Sequence, residues 1–142
     1  CYIWHPSHEK ILKKLGIKYI QTIANQFIPI SGKPLKYKKV YHYLGQKNDI
    51  GQRYLLRNAF FEPYQKNGFD WVDDCLSRVQ IAFSWNKPAI ISTHRINFVG
   101  GLDEKFRDSN IRDFTVLLKK IIELWPDVEF ISSDQLGEII EA

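Results

Sequence analysis

The sequence predicts an α/β fold in which mostly parallel strands carry packed helices. Three observations predict it. The second half alternates helix, strand, helix, strand, helix, a pattern that places parallel strands under covering helices. The run Pro88-Ala89-Ile90-Ile91-Ser92-Thr93 is apolar and bounded, as a buried strand is. That run ends in His94, and the junction between such a strand and its following loop is where α/β barrels keep their chemistry.

Length and composition agree with one domain, or a fragment of one, over residues 1–142. The chain is 44% apolar and 25% charged, ordinary values for a packed globular unit. No apolar stretch is long enough to span a bilayer, so no membrane partner is expected. The net charge of +4 permits an anionic partner without demanding one. Cys75 falls on the apolar face of a predicted helix and reads as a buried thiol. The chain has no methionine and opens on Cys1-Tyr2-Ile3-Trp4, which reads as the interior of a longer structured unit. There is no glycine-rich phosphate loop, no Gly-x-Ser-x-Gly elbow and no Cys-x-x-Cys pair.

The elements follow in order. Proline in a first turn with Glu9 close behind predicts a helix from Pro6 to about Leu15, ended by Gly16 as a C-cap. Ile17–Ile20 is a short strand, and Pro29, Gly32 and Pro34 mark a loop. Tyr37–Leu44 and Gln52–Phe61 are rich in β-prone residues and predict either a hairpin or two barrel strands. Trp71, Val72, Cys75, Leu76, Val79 and Phe83 recur at helical spacing behind Asp70, Asp73 and Asp74. Asp108-Ser109 is expected to cap the next helix, whose apolar face is Ile111, Phe114, Leu117, Leu118, Ile121, Ile122 and Trp125. Pro126 ends it, Val128–Ile131 reads as a strand, and Ser132 with Gln135 forms a capping box for a last helix ending near Ile140.

Several residues carry chemistry in this reading. His94 is the candidate acid or base. Arg95 behind it offers a cation, and the loop through Gly100-Gly101 adds the amide of Asn97. Arg57 and Asn58 follow an apolar strand, with Glu62 just beyond, and line a cleft or join a plain ion pair. His5 and His8 have a spacing that suits a metal, although the helix start accounts for His5 without one. Asp70, Asp73 and Asp74 read as partners of a helix dipole rather than metal carboxylates. Lys33, Lys36, Lys38, Lys39 and Lys47 interleave with Tyr37, Tyr41 and Tyr43. That mixture suits a nucleic acid, an acidic glycan, or an edge strand kept soluble by lysines.

The stretch from Pro88 to His94 resembles the last motif of the polysaccharide deacetylases, the chitooligosaccharide-deacetylase-like carbohydrate esterases. Cys1-Tyr2-Ile3-Trp4-His5, with the helix and Gly16-Ile17-Lys18-Tyr19 behind it, resembles the segment after that family's arginine-proline-tyrosine motif. The likeness covers most of the 142 residues but only the C-terminal half of the family's domain. It implies a (β/α) barrel of the glycoside hydrolase/deacetylase type and a hydrolase that removes acetyl groups from a glycan. His94 would protonate the leaving amine, and the backbone amide of Tyr2 would help hold the oxyanion. A divalent metal, often zinc, would be held upstream, with no metal ligands and no cofactor expected in this chain, which alone would be inactive. Where the family usually has leucine, two places before the histidine, this chain has Ser92. The rival expectations are a catalytically inactive carbohydrate-binding relative and a nucleic-acid-binding module built on Lys33–Lys47. The partners expected are a glycan substrate, with nucleic acid disfavoured, and a second copy of the chain across raw sheet edges.

Overall fold

The structure is a computed structural model and describes residues 2–65, 68–101 and 103–141. The elements are α1 (Ser7–Lys14), β1 (Tyr19–Thr22), β2 (Asn25–Pro29), β3 (Tyr37–Tyr41), β4 (Arg53–Leu56), β5 (Ala59–Phe60), α2 (Trp71–Ser84), β6 (Ile91–Ser92), α3 (Glu104–Leu124) and α4 (Ser133–Glu141). The fold is mixed α/β. The strands form three two-stranded sheets: β1 with β4 in parallel, β2 with β3 antiparallel, and β5 with β6 in parallel. Among the described residues these pairs form no closed barrel. The chain divides into two compact units, 1–57 with 131–142, and 58–130.

The first unit starts as its caps require. The ring Nδ1 of His5 accepts from the Ser7 backbone N–H at 3.2 Å, so His5 is spent on starting α1. At the other end Ile17 N–H reaches Leu12 O and Gly16 N–H reaches Lys13 O. Gly16 has φ +82°, as this left-handed helix terminus demands. Glu9 in the first turn of α1 is buried, and its carboxylate accepts from Trp4 Nε1 (2.9 Å), Tyr54 Oη (2.8 Å) and Asn48 Nδ2 (2.9 Å). Three donors offset the desolvation of this charge. The phenol of Tyr54 is pushed well above its usual range, first by burial and then by its hydrogen bond to Glu9. The ring of His42 stacks 3.9 Å from Tyr54 and touches Gln26 Oε1 and Gln46 Oε1, so this histidine is part of the packing. α4 begins with the expected capping box, Ser132 N–H to Gln135 Oε1 and Gln135 N–H to Ser132 Oγ. It lies on β1 with Gly137 beneath the ring of Tyr19, where a Cβ has no room.

The second unit holds one continuous apolar core. Ala59, Phe61, Cys75, Leu76, Val79, Leu117 and Ile121 are buried together, with Phe98, Phe114 and Trp125 packed against them. Asp70 caps α2 by accepting from Asp73 N–H at 2.9 Å. The rings of Phe61 and Phe114 lie 5.3 Å apart, and Phe83 meets Trp125 edge-on at 5.1 Å.

Several expectations are corrected. α3 starts at Glu104 and is capped by Asp103, which accepts from Phe106 N–H at 3.0 Å, so Asp108 and Ser109 lie inside the helix. Ile111 and Ile122 on its predicted apolar face are 45% and 51% exposed. The Gln52–Phe61 strand is two short strands, and neither forms a hairpin ladder with β3. β3 instead pairs with β2, which lies in a stretch the sequence leaves unassigned, just ahead of the loop marked by Pro29, Gly32 and Pro34. Among the described residues Val128–Ile131 has no ladder partner, so the expected strand is not formed.

Candidate functional site

β5 and β6 run side by side in the register Ala59↔Ile91 and Phe60↔Ser92. The ladder continues through Phe61 N–H to Ser92 O at 2.9 Å. Two residues past each strand pair, that register sets Glu62 opposite His94. Because side chains alternate along a strand, both project on the same side of the parallel pair. Residues 32 apart in sequence thus become neighbours at the carboxyl ends of adjacent parallel strands, the end where α/β folds gather functional groups.

The pair is closely bonded. His94 Nδ1 donates to Glu62 Oε1 at 2.6 Å. Glu62 Oε2 accepts from His94 backbone N–H at 3.2 Å and from Asn97 Nδ2 at 3.0 Å. The Glu62 side chain is 2% exposed and the His94 side chain 54%. A carboxylate can only accept, so the neutral imidazole keeps its proton on Nδ1 and turns Nε2 outward. The buried acid thus fixes one nitrogen of an exposed ring and frees the other for proton transfer.

Asn97 organises the loop behind the pair. It is fully buried in the 3-10 turn Arg95–Phe98. Its Nδ2 also donates to Thr93 Oγ1, its Oδ1 accepts from Tyr64 N–H at 3.0 Å, and its backbone O accepts from Asn110 Nδ2 on α3 at 2.9 Å. The ring of Tyr64 stands edge-on to His94 at 5.8 Å. An open groove walled by Pro63, Phe69, Trp71, Phe106, Asn110 and Lys120 meets this network at Asn110, and neither Glu62 nor His94 lines it.

The other expected site residues are placed as follows. Arg95 opens the 3-10 turn and is exposed. Asn58 spends its amide on backbone: Nδ2 donates to Pro88 O at 3.0 Å, and Oδ1 accepts from Ile90 N–H at 2.7 Å. It fastens β5 to β6 rather than offering a polar group to a ligand. Tyr2 and Arg57 belong to the first unit, where Tyr2 O accepts from Phe27 N–H and Arg57 N–H donates to Thr22 O. Asp70 is a helix cap, and Asp73 and Asp74 face Lys120 and Arg78. The pairing of Glu62 with His94, and the part played by Asn97 and Tyr64, were missed from sequence. The available signal was two short apolar runs, each ending in a titratable residue and read as neighbouring parallel strands. Among the described residues no group of three or more His, Cys, Asp or Glu is placed to hold a metal ion, and no helix is long and apolar enough to cross a membrane. Comparison with protein-family models, with curated proteins and with solved structures gives no match.

Proposed function

We propose that this chain is the C-terminal part of a metal-dependent polysaccharide deacetylase-like hydrolase, with His94 as its proton donor. The parallel pair β5–β6 would be two strands of a (β/α) barrel. The observation that carries the reading is the Glu62–His94 pair: a buried carboxylate on Nδ1, an outward Nε2, and a position at the ends of adjacent parallel strands.

The chemistry follows from that geometry. Water adds to the acetyl carbonyl, giving up a proton to a base that would lie with the metal outside this chain, and the carbon–nitrogen bond of the tetrahedral intermediate then breaks. The protonated imidazole of His94 gives its Nε2 proton to the departing nitrogen, so acetate and a free amine leave. Glu62 steadies the cationic ring through Nδ1, and Asn97 holds Glu62 in place. The groove that reaches Asn110, with Phe69 and Trp71 in its wall, would seat a sugar further along the glycan. Arg95, exposed beside His94 at the start of the same turn, is the remaining substrate-side candidate. The metal associated with this chemistry would be held by residues outside this chain. Ile81, Trp85, Ile122 and Leu124 are each at least half exposed, which supports burial against further protein, including a second copy.

Acetate release from an acetylated chitooligosaccharide tests the reading, using the protein that contains this chain. His94→Ala should lower turnover by about 10²–10⁴-fold, the usual worth of a positioned acid. Unchanged turnover in that variant would remove His94 from the reaction. Binding of the oligosaccharide without acetate release would favour the inactive relative.

A further inference from the structure

Charge is divided very unevenly in this chain. Residues 10–48 hold nine lysines and no Asp or Glu. The first unit carries eleven Lys and Arg against five acids, whereas the second carries nine against eleven. Among the described residues none of those nine lysines pairs with a carboxylate. A charged segment with no internal counter-ion presents a field that attracts anions.

Within this segment the β2–β3 hairpin supplies a shaped face. Its register is Phe27↔Lys39 and Pro29↔Tyr37, with Asn25↔Tyr41. Alternation puts Tyr37, Lys39 and Tyr41 on one side together with Phe27, while Gln26 and Val40 turn to the other. Gln26 is buried, which identifies the Tyr37–Tyr41 side as the outward one. Tyr37 is 41% exposed and Tyr41 68%. The ammonium of Lys39 lies 4.8 Å from the centre of the Tyr41 ring and 6.0 Å from that of Phe27. Ring and cation therefore sit within the width of one pyranose. A sugar carrying a carboxylate can stack its C–H face on tyrosine and pair its charge with Lys39 at once.

We propose that the outward face of this hairpin, Phe27, Tyr37, Lys39 and Tyr41, binds an anionic polysaccharide. Choosing a glycan over a single-stranded nucleic acid rests on the deacetylase reading. The face itself is independent of the Glu62–His94 chemistry. A hairpin whose lysines only protect an edge strand would not need exposed tyrosines beside them.

Affinity electrophoresis of the chain at low salt tests the proposal, with polygalacturonate, dextran and a 15-residue oligothymidylate as probes. Retardation by polygalacturonate and not by dextran is expected, falling as salt is raised. Tyr41→Ala, Tyr37→Ala and Lys39→Gln should each weaken it by about three- to tenfold, with unchanged circular dichroism. Three results overturn the proposal: no retardation by polygalacturonate, retardation that survives loss of both tyrosines, or stronger retention by the oligothymidylate. His94→Ala should leave retardation unchanged. Failure of this face thus reads out in binding, and failure of the deacetylase reading in acetate release.

Discussion

Truncating Glu62 should loosen the strand tips as well as the chemistry. The carboxylate accepts three N–H groups: His94 Nδ1 at 2.6 Å, His94 N at 3.2 Å and Asn97 Nδ2 at 3.0 Å. The imidazole is 54% exposed, so water replaces its lost partner. The other two donors lie on the interior side and lose theirs, at about 1–3 kcal/mol each. Glu62→Ala should therefore cost about 2–6 kcal/mol in a urea unfolding experiment. Glu62→Gln separates charge from shape. Its amide oxygen can serve Asn97 and the His94 backbone, which leaves its NH₂ facing Nδ1. The ring must then accept at Nδ1 and carry its proton on Nε2, at a cost of about 1 kcal/mol. Nitrogen-15 spectra of the His94 side chain read this reversal directly. Glu62→Ala within about 0.5 kcal/mol of the parent, or an unchanged tautomer in Glu62→Gln, would refute the assignment of Glu62 as the group that orients His94.

Other outcomes follow from the packing. Burial, reinforced by Asp74 and opposed by Arg78, pushes the Cys75 thiol up to about 12. Peptide mapping should find Cys75 unmodified by a maleimide at pH 8 in the folded chain and fully modified in urea. A raised thiol stabilises the fold below its ordinary value, and that stability drains away as pH climbs from about 9 toward 12. Cys75→Ala should flatten this alkaline limb of the stability curve. Gly137→Ala, which elsewhere in a helix gains about 1 kcal/mol, should instead lower the melting temperature because the ring of Tyr19 occupies the Cβ position. A stabilised variant would contradict that packing. Glu9→Ala orphans donors from Trp4, Asn48 and Tyr54 and should cost about 3 kcal/mol by chemical denaturation. A loss under about 1 kcal/mol would mean water replaces the carboxylate.

What was legible in the sequence depended on how local the cause was. α2 was readable because Cys75, Leu76 and Val79 return to one side at the helical repeat, and all three are buried. The start of α4 was readable because Ser132 and Gln135 satisfy each other within a single turn. α3 was begun too late because Asp103 and Asp108 are both residues that can cap, and its first turn has little apolar periodicity to choose between them. Val128–Ile131 has β-prone side chains, but a strand needs a neighbour, and none pairs with it. β2 is hard to read because its apolar run is short and Pro29 sits at its end; among the described residues Pro29 closes a strand that pairs with β3 and takes an isolated bridge from Ile3. The place of His94 just past a strand is legible from the apolar run before it, whereas its pairing with Glu62 is not. The bond between them depends on a parallel register, which no local window reveals.

That register also decides what the chain can tolerate. The length of the crossover between β5 and β6 does not set the register in which the acid meets the ring. Insertions just past α2, at the exposed Trp85–Lys87 turn, should be accepted, whereas one inside α2 would turn part of its buried face outward. One residue added within 59–62 or 91–94 would invert the alternation, swing a carboxylate or an imidazole to the opposite side, and dissolve the dyad while leaving both of its residues in the gene.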